Sequence, residues 1–212
     1  MAGLPRLRRR RSKTVSDDGD AAALDRAAAA LRDVELVVYP TETVYGLAAD
    51  AADPEAVARA FEAKERPREN PVSLAVPNVD AALAYTRPTE RTERFMREFL
   101  PGPVTVVTER RERVPDVLTD GAPKVGVRVP DHPVAIALLE RVAPLTATSA
   151  NVSGNPSATT VDELDAIAER AAVVLDGGET GGTGSTVVDV EAGTVHRRGA
   201  GADAVERWLD EH

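Results

Sequence analysis

The residues of this chain best spaced to do chemistry are hydroxyls and cations. In Tyr39-Pro40-Thr41-Glu42-Thr43-Val44-Tyr45-Gly46-Leu47, an apolar run from Val34 to Tyr39 stops in a proline and a cluster of hydroxyls. A strand ending this way sets small polar groups at its tip, where ligands sit in α/β proteins. About twenty residues further on comes Lys64-Glu65-Arg66-Pro67, with Asn70-Pro71 behind it. Hydroxyls from one segment and two cations from the next suit a phosphorylated ligand. Lys64 and Arg66 are two apart, so they share a side only if the backbone turns, a turn that Pro67 favours. Taken alone, the pair reads equally as solvated loop charge.

Three further groups add to this. Ser149-Ala150-Asn151 follows a strand end and can offer donors to a phosphate oxygen or a ribose, although the same triplet is common in plain turns. Residues 177–184 are glycine-rich and run into Ser185-Thr186, but they lack the Gly-Lys-Ser/Thr ending of a P-loop. Arg128 closes a β-branched run before Pro130 and can clamp a carboxylate through two nitrogens. His132, His196 and His212 show no ligand spacing, and the chain contains no cysteine, which excludes disulfides and thiolate metal sites.

These groups need a scaffold. The 212 residues suffice for one domain, and aromatics make up only 3%, so Val, Leu, Ala and Ile must build the core. The net charge is −9, and Lys13, Lys64 and Lys124 are the only lysines. An acidic, lysine-poor surface suits high salt, where exposed charge is screened within about 3 Å, so a phosphate site here must be recessed. No run is long enough for a membrane span and no signal peptide is evident, which gives a cytoplasmic protein as the simplest reading.

Residues 1–20 read as a disordered tail, a basic block followed by an acidic one, with RNA contact as the minor alternative. A single domain is expected over 21–212. The patterning predicts helices over Ala21–Arg32, from Asp53-Pro54 to Ala63, from Asn78 to Tyr85, over Thr89–Phe99, over His132–Val142, from a Thr160/Glu163 capping box to Arg170, and over Asp203–Leu209. It predicts strands over Val34–Tyr39, Val72–Val76, Val104–Thr108, Val125–Val129, Leu145–Thr148 and Val173–Leu175, and a hairpin of Ser185–Val190 with Thr194–Arg197. The irregular alternation and the hairpin together predict an α/β fold, a mixed sheet with helices against it.

In order along residues 20–211, these segments resemble the YrdC-like family of threonylcarbamoyl-AMP synthases, in its short form without an extra C-terminal domain. The matching pieces are residues 40–47, Lys64-Glu65-Arg66-Pro67 with Asn70-Pro71, Pro101-Gly102-Pro103-Val104-Thr105, Val127-Arg128-Val129-Pro130, Ser149-Ala150-Asn151-Val152-Ser153-Gly154, Ser185-Thr186-Val187-Val188-Asp189, and Arg197 ahead of Gly199. The resemblance implies a twisted mixed sheet around a basic cavity, YrdC/RibB-like. It implies that L-threonine, bicarbonate and ATP give threonylcarbamoyl-AMP, pyrophosphate and water, with Mg²⁺ carried by ATP. A transferase complex would then modify tRNA, and some members bind double-stranded RNA.

Carried over by position, ATP would meet Lys64, Arg66, Asn70, Asn151, Thr159 and Arg197, while L-threonine would meet Thr43, Arg128, Ser149 and Ser185. Lys64, Arg66, Ser149 and Asn151 would carry the catalysis, Lys64 lying at the reacting phosphate. Three positions depart from the family pattern: Ala48 in place of Gly, Ala75 where long forms have a threonine-contacting His, and Lys124 where they have a Thr near ATP. Any lid would come from a local loop such as 177–184 or from the tail. The competing readings are a non-catalytic tRNA or double-stranded RNA-binding factor and a carbamoyl-adenylating module of hydrogenase maturation.

Overall fold

The structure is a computed structural model and describes residues 17–212. Helix α1 (Asp17–Arg32) places Leu24, Ala27, Ala28 and Leu31 on one buried face, the spacing of an amphipathic helix. It starts at Asp17 rather than Ala21, so the boundary expected after residue 20 is corrected. The rest of the expected tail lies outside the described residues.

The first strand is also shorter than its apolar run. Val34 takes a positive φ of 63° in the turn after α1, and β1 (Val37–Tyr39) begins only once the backbone has recovered. The hydroxyl-rich stretch proves to be a bend between β1 and a second strand, β2 (Gly46–Ala48), which the pattern did not predict. The two pair antiparallel, Tyr39 opposite Gly46. Thr41 holds the bend. Its Oγ1 accepts from the amides of Thr43 (3.2 Å) and Val44 (3.3 Å) and donates to the Val44 carbonyl (2.7 Å).

Helix α2 (Pro54–Ala63) is capped as predicted, Asp53 Oδ1 accepting from the amides of Glu55 (2.7 Å) and Ala56 (3.3 Å). There follow β3 (Ser73–Ala75), α3 (Val79–Ala82), α4 (Glu90–Phe99), β4 (Val104–Glu109), α5 (Asp116–Thr119), β5 (Lys124–Arg128), α6 (Pro133–Arg141) and β6 (Leu145–Ser149). The chain ends with α7 (Asp165–Arg170), β7 (Val173–Val174), β8 (Thr186–Asp189), β9 (Thr194–Arg197) and α8 (Ala202–Glu211). Helix α5 was not foreseen, since four residues carry no periodicity to read. The predicted capping box is half formed. Thr160 makes no side-chain cap; a 3₁₀ turn over Val161–Glu163 precedes α7, and Glu163 reaches back to the Thr159 amide at 2.7 Å.

The described strands form one sheet of nine, in the order β7-β1-β2-β6-β3-β5-β4-β8-β9. Pairs β1/β7, β3/β5 and β4/β8 are parallel and the others antiparallel, as the mixed fold requires. The period of two separates core from site. Leu74, Val104, Val106, Val125, Val127 and Val188 point into one apolar cluster with Phe95 and Trp208. Their neighbours Ser73, Thr105, Gly126, Arg128 and Val187 lie on the opposite face. Gly126 has to be a glycine, because a Cβ there would sit 2.3 Å from Ser73 Oγ. Its bare backbone deepens the polar face into a hollow.

Candidate active site

Over that hollow lies a cavity of about 270 Å³. Of the residues singled out in the sequence, Arg66, Arg128, Ser149, Ser185 and Arg197 line it. Thr41, Tyr39, Tyr45, Ser73, Thr105, Thr148 and Ser157 line it as well, and the sequence reading gave them no part in the site. For Ser73 and Thr105 a signal was there to read, a lone hydroxyl at alternate positions of otherwise apolar strands. No carboxylate belongs to the lining.

The Lys-x-Arg pair splits. Lys64 is the C-cap of α2, and Glu65 follows it with a φ of 50°, in the left-handed region. The amide of Arg66 reaches the Phe61 carbonyl (3.0 Å) and that of Glu65 the Glu62 carbonyl (3.0 Å), the pattern that ends a helix with a left-handed residue. The turn is therefore at Glu65, not at Pro67. It sends the two cations different ways. Arg66 faces the cavity, its Nε on the Asn70 carbonyl (2.7 Å) and its Nη2 on the Pro71 carbonyl (3.1 Å). Lys64 goes under it, 2% exposed. Its ammonium donates to the backbone carbonyls of Ser149 and, at 2.7 Å, Asn151, while its own carbonyl accepts from the Ser153 amide at 2.8 Å. The residue read as an exposed loop cation is a buried prop. Burial, and then the neighbouring Arg66, lower its pKa to about 8.

Asn151 is likewise spent on its own loop. Its Oδ1 accepts from the Ser149 hydroxyl, and its Nδ2 donates to the carbonyls of Val152 and Asn155, both at 2.9 Å. Asn70 offers its carbonyl to Arg66 and is itself exposed. Thr159 donates to Glu163 Oε2 (2.9 Å) and accepts from the Thr180 amide (2.9 Å). Lys64, Asn70, Asn151 and Thr159 thus stand around the cavity without lining it.

The opposite wall is built from side chains. Arg128 Nη2 donates to Thr43 Oγ1 (2.6 Å) and to Glu42 Oε1 (2.9 Å). Arg197 holds Ser185 by its carbonyl (Nε 3.0 Å, Nη2 2.8 Å) and hydroxyl (2.9 Å), and Ser185 Oγ meets Thr105 Oγ1 at 2.9 Å. The glycine loop closes this wall: the Gly182 amide donates to the Thr43 carbonyl at 2.6 Å, and Tyr45 Oη donates to the Gly178 carbonyl at 2.8 Å. Burial lowers the pKa of Arg197, and repulsion from Arg128 and Arg66 lowers it further, so the three guanidiniums share one field. Burial also pushes Tyr39 up to about 12, keeping its hydroxyl neutral. A recessed cavity with three arginines and a rim of hydroxyls is a site for anions.

The departures from the family pattern fall outside the lining. Ala48 and Ala75 are fully buried, and Lys124 is paired with Asp189. No helix among the described residues is long and apolar enough to cross a membrane.

Comparison with known proteins bears on the same residues. The Sua5/YciO/YrdC family model, described as "Telomere recombination", matches residues 29–199. The threonylcarbamoyl-AMP synthase of Pyrococcus abyssi is 43% identical over 169 residues, 77% of this chain and 49% of the relative. The Bacillus subtilis protein of that name is 41% identical over 174 residues, with the same coverage. The chain therefore spans about half the length of these relatives. A crystal structure of P. abyssi Sua5 complexed with L-threonine superposes with a TM-score of 0.82 at 38% identity, covering 89% of this chain and 57% of that one. The chain belongs to the Sua5/YciO/YrdC family.

Proposed function

We propose that this chain is an L-threonylcarbamoyladenylate synthase. It joins L-threonine, bicarbonate and ATP into threonylcarbamoyl-AMP, releasing pyrophosphate and water. The product would pass to a transferase complex that modifies tRNA. The observation that carries this reading is the convergence of Arg66, Arg128, Ser149, Ser185 and Arg197 on one cavity. Relatives named for this activity, and a Sua5 structure that holds L-threonine, support it.

The geometry suggests a division of labour. Arg128 takes the amino-acid carboxylate beside the hydroxyls of Thr43, Ser149 and Ser185. Arg66 and Arg197 take the phosphates. The threonine amine attacks bicarbonate carbon; an N–C bond forms and water leaves. A carbamate oxygen then attacks the α-phosphorus, and the bond to pyrophosphate breaks. Charge grows on the phosphoryl oxygens, where fixed guanidiniums stabilise it without reorganising. The lining carries no carboxylate, so Mg²⁺ would be held by the ATP phosphates, adding its charge to those of the arginines. Lys64 serves this reaction by fixing the Ser149–Asn151 backbone. Its ammonium would reach a phosphate only by releasing two carbonyls.

The test is pyrophosphate release from ATP. It should require both L-threonine and bicarbonate, with each omission reducing it to background. Release indifferent to threonine would refute the proposal. Salt-sensitive tRNA binding without turnover would favour an RNA-binding factor instead.

A further inference from the structure

Six buried side-chain atoms among the described residues have no hydrogen-bond partner, and two of them belong to a single ion pair. These are Arg128 Nε, a donor, and Glu42 Oε2, an acceptor. The pair is one-armed. Arg128 Nη2 serves Glu42 Oε1 at 2.9 Å and Thr43 Oγ1 at 2.6 Å, so one nitrogen carries two acceptors while its neighbour carries none. Arginine and carboxylate ordinarily meet through two parallel bonds. The side chains are only 11% and 18% exposed, so water does not readily make up the difference. An unmade bond to a buried polar atom is costly, and more so when the group is charged.

The two orphaned atoms are complementary, and their carriers are already in contact. A ligand that satisfied both would bring an acceptor and a donor within the span of one small head group. A bare carboxylate would satisfy Arg128 and leave Glu42 facing a second negative charge. An α-amino acid zwitterion satisfies both: its carboxylate goes to the guanidinium and its ammonium to Glu42.

We infer that Glu42 is the residue that recognises the substrate ammonium, so that this wall selects an amino acid over other small carboxylates. The inference rests on the synthase reading, which assigns Arg128 to the amino-acid carboxylate. Glu42 is well placed to be held to this task. Gly181 passes so close to its carbonyl that a Cβ there would lie 2.6 Å from the oxygen, and the Gly182 amide bonds the next carbonyl at 2.6 Å. The backbone that carries Glu42 is thereby fixed from the side away from the strand. The head group enters at the unfinished arm of the pair and exchanges two unmade bonds for two charge-assisted ones.

The test compares binding of L-threonine with binding of 3-hydroxybutanoate, which keeps the carboxylate and the hydroxyl but lacks the amine. Calorimetry on the wild-type chain should favour threonine by about ten-fold or more, the value of one charge-assisted hydrogen bond. Glu42→Gln should weaken threonine by about that factor and leave 3-hydroxybutanoate within about two-fold, collapsing the preference. Glu42→Asp, which keeps the charge, should retain it. Equal weakening of both ligands in Glu42→Gln would make Glu42 a mere buttress of Arg128 and overturn the inference while leaving the synthase reading intact. If the Gln variant fails to fold, the wild-type comparison still decides, since equal affinity for the two ligands overturns the inference. A wild-type chain that binds neither ligand defeats this inference and the synthase reading together.

Discussion

The two walls of the cavity are built on different principles. The wall of Lys64, Arg66, Ser149 and Asn151 is closed on itself. Lys64 holds two carbonyls, Arg66 holds two more, and Asn151 bonds its own loop. The wall of Glu42, Thr43, Arg128, Ser185 and Arg197 is tied mainly side chain to side chain, and it keeps two buried atoms unpaired. The first wall has its shape before any ligand arrives. The second has polar capacity left over, and a ligand completes it. Pre-organisation and recognition are thus divided between the two sides, and substitutions should expose the division.

The largest effect belongs to Lys64→Met. It removes the ammonium from a site 2% exposed and leaves the Ser149 and Asn151 carbonyls without their donor. Stability should fall by about 3 kcal/mol, the scale of hydrogen bonds from a charged group. Pyrophosphate release should drop to background at any concentration of either substrate. Urea melts and initial rates check both. A variant of wild-type stability and rate would show that the first wall does not depend on its prop.

Next comes Arg128→Ala. It should raise the KM for threonine about 100-fold, as loss of a bidentate carboxylate contact does, with the KM for ATP changed about two-fold or less. Arg66→Ala should do the reverse more mildly, raising the KM for ATP about ten-fold and sparing threonine. Parallel losses in both variants would mean that the cavity acts as one undivided patch of charge.

Much of this was legible in the sequence, and the misses have physical causes. The mixed sheet, the Asp53 cap and the closing hairpin followed from local pattern. The convergence of Arg66, Arg128, Ser149, Ser185 and Arg197 came through the family's ordered motifs, because spacing alone cannot say which distant loops meet. Strand β2 escaped because its three residues, Gly-Leu-Ala, carry no alternation. The fate of Lys64 was hidden by one backbone angle. Gly is the usual left-handed residue after a helix, and Glu65 fills that place at a cost of about 1 kcal/mol. A sequence shows Lys-x-Arg as a pair, whereas the helix end turns one member inward. Glu42 was passed over as part of a motif because its significance lies in the bond it does not make.

The smallest effect tests the buried prop through its proton. Burial and Arg66 hold the Lys64 pKa near 8, below its ordinary 10.5. The unfolded chain therefore binds more protons between those values, and stability must rise with pH across that window. Put the other way, the contribution is complete above 10.5 and is lost as pH falls through about 8. A shift of that size sets a ceiling of about 3 kcal/mol. The two carbonyls that accept from the ammonium favour the charged form, so roughly 1 kcal/mol is the expected gain. Subtracting the melts of Lys64→Met from those of the wild type cancels the tyrosines, which titrate in both. The difference should grow in favour of the wild type between pH 8 and 10.5. A flat or falling difference would mean that the carbonyls outweigh burial, and that the first wall is anchored by a fully charged lysine.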